Sequence, residues 1–115
     1  MRVLVCGGRD YKNENKVNEV LGNFVKDQYV HGTIIHGNAK GADYLGALWG
    51  YRMGWKVEAY SAEWVRHGLK AGYIRNKQML EEGKPDLVIA FPGGKGTAMM
   101  VRLAKEANIK VREIV

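Results

Sequence analysis

The sequence alternates between short apolar runs and stretches in which apolar residues recur every three or four positions, and this pattern strongly limits the fold. The apolar runs predict strands at residues 3–6, 33–36, 57–60, 86–91 and 110–115. The periodic stretches predict helices at residues 15–26, 40–53, 71–83 and about 97–108, with an irregular stretch at 61–72. We therefore expect a single Rossmann-like α/β domain over residues 1–115, with about five mainly parallel strands and helices on both faces of the sheet.

Glycine is unusually frequent, with 15 residues where an average chain of this length has about eight. Many of the glycines lie in three turns that follow predicted strands, at residues 7–10, 36–43 and 92–97. Glycine-rich turns before helices present free backbone N–H groups, which hold phosphate well. The predicted ligand-binding residues in these turns are Gly7, Gly8, Arg9, His36, Gly37, Asn38, Gly41, Asp43, Pro92, Gly93, Gly94, Lys95, Gly96 and Thr97.

These turns do not carry the motifs of the best-known nucleotide loops. Residues 7–9 do not form a G-x-G-x-x-G pattern, and residues 95–97 do not have the G-K-[ST] order of a P-loop, so ATP hydrolysis of the P-loop type is not expected. The glycines of one turn could serve only to let the chain bend, but three such turns at one sheet edge favour a ligand. If the fourth strand lies beside the first, the site falls between these two strands.

The charge balance favours anionic partners. The chain has 18 Lys and Arg residues against 12 Asp and Glu residues, a formal net charge of +6. Nucleotides, phosphates, nucleic acid and acidic protein faces fit this balance, as does a basic surface that only maintains solubility.

No apolar run reaches the roughly 18 residues of a membrane helix, and the N-terminus does not resemble a signal peptide. A single cysteine, Cys6, excludes an intramolecular disulfide. We expect a cytoplasmic protein without membrane association.

The acidic side chains offer few candidates for catalysis. Glu63, beside Trp64, is the best-placed acid, because it lies in a stretch long enough to form a lid. Asp10 fits either a contact with a ribose hydroxyl or a turn cap. Asp43 fits a cap or a charge at a helix start.

The histidines do not indicate a metal site. His36 ends a predicted strand and fits either a hydrogen-bond donor to a ligand or a core histidine, whereas His31 and His67 are expected to be solvated. None of the three has metal-ligand spacing to a Cys, Asp or Glu residue. We therefore expect neither a metal nor an organic cofactor.

Large aromatic residues are dense in the middle of the chain, at Trp49, Tyr51, Trp55, Tyr60 and Trp64. Trp49 falls on the core face of its helix, whereas Tyr51 and Trp55 are expected to lie off that face. Exposed aromatic residues favour a self-association surface, most simply that of a twofold dimer. They also suit base stacking.

Four segments, which together extend over nearly the whole chain, resemble one protein superfamily. They are residues 1–11 (MRVLVCGGRDY), 36–43 (HGNAKGAD), 74–80 (IRNKQML) and 85–98 (PDLVIAFPGGKGTA). In this order they are similar to the SLOG superfamily, and specifically to its small YspA-type branch. The superfamily also includes LOG-type cytokinin-activating phosphoribohydrolases and DprA-type DNA-processing proteins. The resemblance implies a Rossmann-like fold with a nucleotide-type ligand over the glycine-rich turns.

The resemblance to LOG-type hydrolases includes their phosphate loop but not their catalytic acid. Those enzymes carry P-G-G-x-G-T-x-x-E, in which the loop takes phosphate and the glutamate assists cleavage of the N-glycosidic bond. Residues 92–97 keep the loop, but Met100 stands at the glutamate position. A thioether neither transfers a proton nor stabilises an oxocarbenium ion. Their R-K-x-x-M motif is matched by residues 75–79, which keep Arg75, a residue suited to gripping phosphate. Arg75 and the adjacent Asn76 join the predicted ligand-binding set.

The sequence leaves three functions open. The first is binding or sensing of a nucleotide or a nucleotide-derived, ADP-ribose-like phosphate ligand, which Met100 favours over hydrolysis. The second is a nucleotide N-glycosidase or phosphoribohydrolase of LOG type, with Arg75 and Glu63 as candidate catalytic residues. The third is weak nucleic-acid binding, suggested by the net charge and the distant similarity to DprA-type proteins.

Overall fold

The computed structural model describes residues 1–25 and 31–115, in which strands and helices alternate along the chain. The strands are β1 (Arg2–Cys6), β2 (Thr33–His36), β3 (Lys56–Ala59), β4 (Leu87–Ala90) and β5 (Lys110–Glu113). The helices are α1 (Glu14–Val25), α2 (Ala42–Arg52), α3 (Trp64–His67), α4 (Ala71–Glu81) and α5 (Lys95–Glu106), with a 3₁₀ turn at Gly68–Lys70. The predicted helix end at Lys26 and the side chains of Phe24 and Val25 lie outside the described residues.

The five strands form one parallel sheet in the order β3-β2-β1-β4-β5. From the central β1 the chain winds outward through β2 and β3, and then returns to the other side of β1 for β4 and β5. This arrangement confirms the predicted Rossmann-like fold class. The strand order reverses between β1 and β4, so a ligand crevice is expected at the carboxyl ends of these two strands. None of the helices in the described ranges is long and apolar enough to cross a membrane.

Successive side chains of the central strands enter two different cores, because they point to opposite faces of the sheet. Val3 and Val5 pack in a cluster with residues of α1 and α2, which include Val17 and Trp49. The alternate residues Leu4 and Cys6 pack on the other face, with a second cluster that includes residues of α4 and α5. Burial on both faces explains why these strands read as continuous apolar runs.

Two local expectations were wrong. Trp55 was expected to lie off the core, but it is buried and packs edge-on against Trp49, with ring centroids 5.2 Å apart. It lies beyond the end of α2, so helical spacing did not apply to it. Tyr51 is exposed, as expected. The stretch from residue 61 to the predicted helix start near residue 71 was expected to be irregular, but residues 64–70 form α3 and the 3₁₀ turn.

Candidate functional site

The first and third glycine-rich turns lie against each other at the carboxyl ends of β1 and β4. The N–H of Phe91 donates a hydrogen bond to the carbonyl oxygen of Cys6 over 2.9 Å, and the N–H of Gly8 donates one to the carbonyl oxygen of Pro92 over 2.9 Å. A Cβ atom on Gly93 would lie 2.6 Å from the nitrogen of Gly8. Glycine at position 93 is therefore needed so that the two backbones can approach each other.

The second turn, between β2 and α2, is tied to the first. The N–H of Ala42 donates to the carbonyl oxygen of Gly8 over 3.2 Å. Gly41 has φ +77°, and a Cβ atom at this position would overlap the carbonyl oxygen of Gly8. The conformation and the close approach both favour glycine here. The three turns predicted to bind a ligand are thus joined by direct backbone contacts.

Asp43, in the first turn of α2, stabilises the turn after β2 through hydrogen bonds to its backbone. Its Oδ2 atom accepts hydrogen bonds from the N–H groups of Gly37 over 2.8 Å and of Ala39 over 3.4 Å. The side chain is buried, and this burial raises the pKa of the carboxyl to about 6, although the two N–H donors and the nearby Arg75 favour its charged form. The carboxylate therefore has a structural role, since it fixes the turn.

Arg75 reaches from α4 toward the same turn and is positioned by its neighbours. Its Nη1 atom donates to the carbonyl oxygen of Gly37 over 2.6 Å, and its Nε atom donates to Oδ1 of Asn76 over 2.9 Å. The buried Asn76 in turn donates from Nδ2 to the carbonyl oxygen of Gly96 over 3.5 Å. Burial lowers the pKa of Arg75, but a guanidinium remains charged in a protein. This chain of contacts connects the second turn to the start of α5.

A cleft of about 470 Å³ opens where the strand order reverses, and we call it the switch-point cleft. Of the predicted ligand-binding residues, it is lined by Gly7, Gly8, Arg9, Asp43, Arg75, Asn76, Gly94, Gly96 and Thr97. The buried side chains of Cys6, Met79 and Met100 also line it. Burial raises the pKa of the Cys6 thiol to about 12, so this sulfur is not a thiolate nucleophile at neutral pH.

A second cleft, of about 500 Å³, adjoins the first, and we call it the outer cleft. Arg9, Trp64 and Arg75 line both clefts. The outer cleft is also lined by Gly37 and Asn38 of the predicted set, and by Asp10. After this turn, α1 is capped by Asn13, whose Oδ1 atom accepts a hydrogen bond from the N–H of Lys16 over 3.1 Å.

The remaining predicted ligand-binding residues line neither of these clefts; they are His36, Gly41, Pro92, Gly93 and Lys95. His36 is buried, and its Nδ1 atom accepts a hydrogen bond from the N–H of Asn38 over 3.0 Å, while burial lowers the pKa of the imidazole. This geometry matches the core-histidine interpretation. Gly41 and Gly93 are used in packing between the turns.

Glu63, the candidate acid, does not line the switch-point cleft. It is exposed at the start of α3, and its Oε2 atom lies 3.4 Å from Nη1 of Arg66 and 3.5 Å from Nε2 of His67. It lines a smaller hollow of about 260 Å³ that also includes Arg75. His31 is exposed as expected, whereas His67 was expected to be solvated but is partly buried beside Glu63.

Sequence reasoning did not include several side chains of the switch-point cleft in the predicted ligand-binding set. Trp64, Leu69 and Tyr73 line its outer part, and Met79 and Met99 line its interior. Trp64 and Leu69 come from the stretch that was expected to be irregular, whereas Tyr73 lies in the predicted helix at 71–83. The only sequence signal for them was the presence of large apolar residues in an otherwise polar stretch. Met79 lies within the third segment of the SLOG resemblance.

The α5 helix begins at the switch-point cleft, and no side chain caps its N-terminus. Its N-cap residue, Gly94, makes no side-chain cap hydrogen bond, and its first turn contains no acidic residue. The first hydrogen bond of the helix runs from the N–H of Ala98 to the carbonyl oxygen of Gly94, over 3.1 Å. The N–H groups of residues 95–97 therefore have no acceptor within the helix. The positive end of the helix dipole is thus available to an anion.

Comparison with known proteins identifies the family. The model of the YspA, cpYpsA-related SLOG family matches residues 1–67, a range that includes the first two glycine-rich turns. The Gene 61 protein of Mycobacterium phage D29 is 36% identical over 117 residues, an alignment that covers 96% of this chain and 93% of that protein. No solved structure matches the chain significantly. The chain therefore belongs to the YspA, cpYpsA-related SLOG family.

Proposed function

We propose that the protein binds or senses a nucleotide or a nucleotide-derived phosphate ligand, and that the phosphate rests on the N-terminus of α5. Membership of the SLOG family suggests a nucleotide-related function. The observation that carries the proposal is that Gly94 and Gly96 line the switch-point cleft, although a Cβ atom on either would meet nothing within 4 Å.

These two glycines differ from those that the turns need for packing. Neither Gly94 nor Gly96 has a positive φ, and neither contacts a neighbour that a methyl group would displace. Gly96 is the second residue of the 12-residue α5, and glycine has a low helix propensity. Within the described residues, nothing requires glycine at these positions. A ligand that must reach the backbone N–H groups does require it.

The charges around the cleft also favour an anion. Arg9 and Arg75 line it, and the carboxylate of Asp43 is already engaged by two backbone N–H groups. Arg75 is held through Nε and Nη1, and its Nη2 atom makes no hydrogen bond within the described residues. That group is available to a phosphate oxygen.

The same cleft does not favour N-glycosidic hydrolysis. Met100, at the position of the hydrolase glutamate, is buried and lines the cleft. Glu63 lines a different hollow. Among the described residues, Asp43 is the single carboxylate that lines the switch-point cleft, and its engagement by two backbone N–H groups argues against a role as the acid for cleavage. Binding without turnover is the better-supported function.

Thermal unfolding with AMP, GMP, CMP, UMP and ADP-ribose tests the proposal. A ligand at 100 times its Kd adds about 2.7 kcal/mol of stability, which in a domain of this size is a rise in Tm on the order of ten degrees. Gly96→Asp should abolish this rise, because its carboxylate occupies the anion position at the helix terminus. The unliganded variant should be as stable as the wild type or slightly more stable, since an acid in the first turn favours the helix.

Gly96→Asn is the matched control, with nearly the same size and no charge. It should retain more of the ligand-induced rise than Gly96→Asp. The proposal is contradicted if no compound of the panel stabilises the wild type, or if Gly96→Asp responds as strongly as the wild type.

A further inference from the structure

We infer that the ligand carries an aromatic base and that Trp64 is the surface on which the base stacks. This inference rests on the proposed function, because it assumes that a phosphate occupies the start of α5. It adds a second subsite in the same cleft and thereby selects nucleotides over inorganic phosphate and sugar phosphates.

Trp64 differs from the other two tryptophans in its surroundings. Trp49 and Trp55 are 5% and 8% exposed and pack against each other in the core, whereas Trp64 is 49% exposed. No residue of α3 is buried, and none of the 3₁₀ turn that follows it is buried either. The indole of Trp64 therefore leaves much of its apolar surface to solvent and lines both clefts.

The indole is nevertheless positioned by its neighbours. The guanidinium of Arg9 lies over the ring, 5.7 Å from its centroid, in a cation–π contact. On α4, a Cβ atom at Gly72 would lie 3.5 Å from Cη2 of Trp64, so the helix passes close to the edge of the ring. A ring oriented by such contacts is a better stacking partner than a freely rotating one, because less side-chain entropy is lost on binding.

The stacking surface and the phosphate position belong to one cleft of suitable size. Trp64, Gly94 and Gly96 all line the switch-point cleft, whose volume of about 470 Å³ lies within the usual range of roughly 300–1,000 Å³ for small-molecule sites. Leu69, which is fully exposed, and Tyr73 extend the apolar surface next to Trp64. A free phosphate would leave all of this surface uncovered, whereas a base would cover it.

The experiment compares the binding of AMP and ribose 5-phosphate by isothermal titration calorimetry. These probes share the sugar phosphate and differ in the base. Trp64→Ala should weaken AMP binding by about tenfold, within the range measured for base–aromatic stacking, and should change ribose 5-phosphate binding by less than twofold. Trp64→Phe should restore most of the AMP affinity, because it keeps an aromatic face. Val65→Ala is the control, since Val65 is fully exposed on the same helix and does not line the switch-point cleft.

The outcomes separate this inference from the proposed function. If Trp64→Ala weakens both probes equally, Trp64 acts by general packing and the inference is wrong. If it leaves AMP binding unchanged, the base lies elsewhere and the inference is also wrong, while the phosphate site stands. The proposed function itself fails if the wild type binds neither of these probes nor any other compound of the thermal-unfolding panel, or if Gly96→Asp leaves ribose 5-phosphate binding intact.

Discussion

Asp43 should give this protein a component of stability that increases on acidification. The carboxyl is buried, and burial raises its pKa to about 6 from the usual 3.8. Between these values the folded chain holds a proton that the unfolded chain has lost. The contribution of Asp43 to the free energy of unfolding therefore falls as the pH rises from about 4 to 6 and is constant above this window. At 1.36 kcal/mol per pKa unit, the contribution amounts to about 3 kcal/mol.

Substitution of Asp43 by asparagine isolates this contribution. The amide keeps the shape of the side chain and can accept the hydrogen bond from the N–H of Gly37, but it does not titrate. Other groups change with pH in both proteins. For example, the hydrogen bond from Arg2 lowers the pKa of Glu58, so this carboxylate loses its stabilising effect as the pH falls. Such effects cancel when the two proteins are compared at the same pH.

Urea unfolding at several pH values between 4 and 7.5, followed by circular dichroism, measures the difference. The wild type should gain about 2–3 kcal/mol relative to Asp43→Asn as the pH falls from 7 to 4. A difference that stays constant or shrinks on acidification would refute the reasoning. It would mean that the two N–H donors and Arg75 outweigh the cost of burying the charge.

Three further predictions concern turnover, nucleic acid and assembly. Incubation with AMP, GMP or CMP should release no free base in chromatography, because Met100 replaces the hydrolase acid, and turnover of about 1 per second or faster would contradict this. Single-stranded DNA should bind weakly at 150 mM salt and with a steep salt dependence, since the net charge of +6 favours only backbone contacts. Sub-micromolar affinity at this salt, abolished by charge reversal at Lys or Arg, would overturn that prediction. Sedimentation should show a dimer that Tyr51→Glu dissociates, because Tyr44 and Tyr51 of α2 are exposed, and a monomeric wild type would contradict this.

Much of the fold was predictable because the central strands β1, β2 and β4 are buried on both faces. Runs such as residues 3–6 and 87–91 must be apolar throughout, and the segments between the strands show helical spacing. The position of the candidate site, the cleft between β1 and β4, followed from the strand order, which the sequence suggested through the expected return of the fourth strand. The hydrophobic pattern along the chain and the general rules for parallel α/β sheets were sufficient to predict the strands, the helices and the cleft position.

The parts that sequence reasoning missed depend on tertiary contacts. Trp55 lies beyond a helix end, and only the folded structure shows that its ring packs on Trp49. Likewise, the sequence cannot distinguish Gly93, whose Cβ atom would meet the backbone of Gly8, from Gly96, whose Cβ atom would meet nothing within 4 Å. The first glycine is needed for packing, and the second is the one that indicates a ligand. That distinction requires the distances between the turns.

The most direct test of the central claim is an amide-resolved NMR titration of the labelled protein with AMP. If phosphate rests on the start of α5, the largest chemical-shift changes should occur at the N–H groups of Lys95, Gly96 and Thr97, with smaller changes at Gly8 across the cleft. These N–H groups are the donors that the helix itself leaves unpaired. Changes concentrated at the amino ends of the strands, or an absence of changes at the start of α5 despite saturation with AMP, would contradict the account.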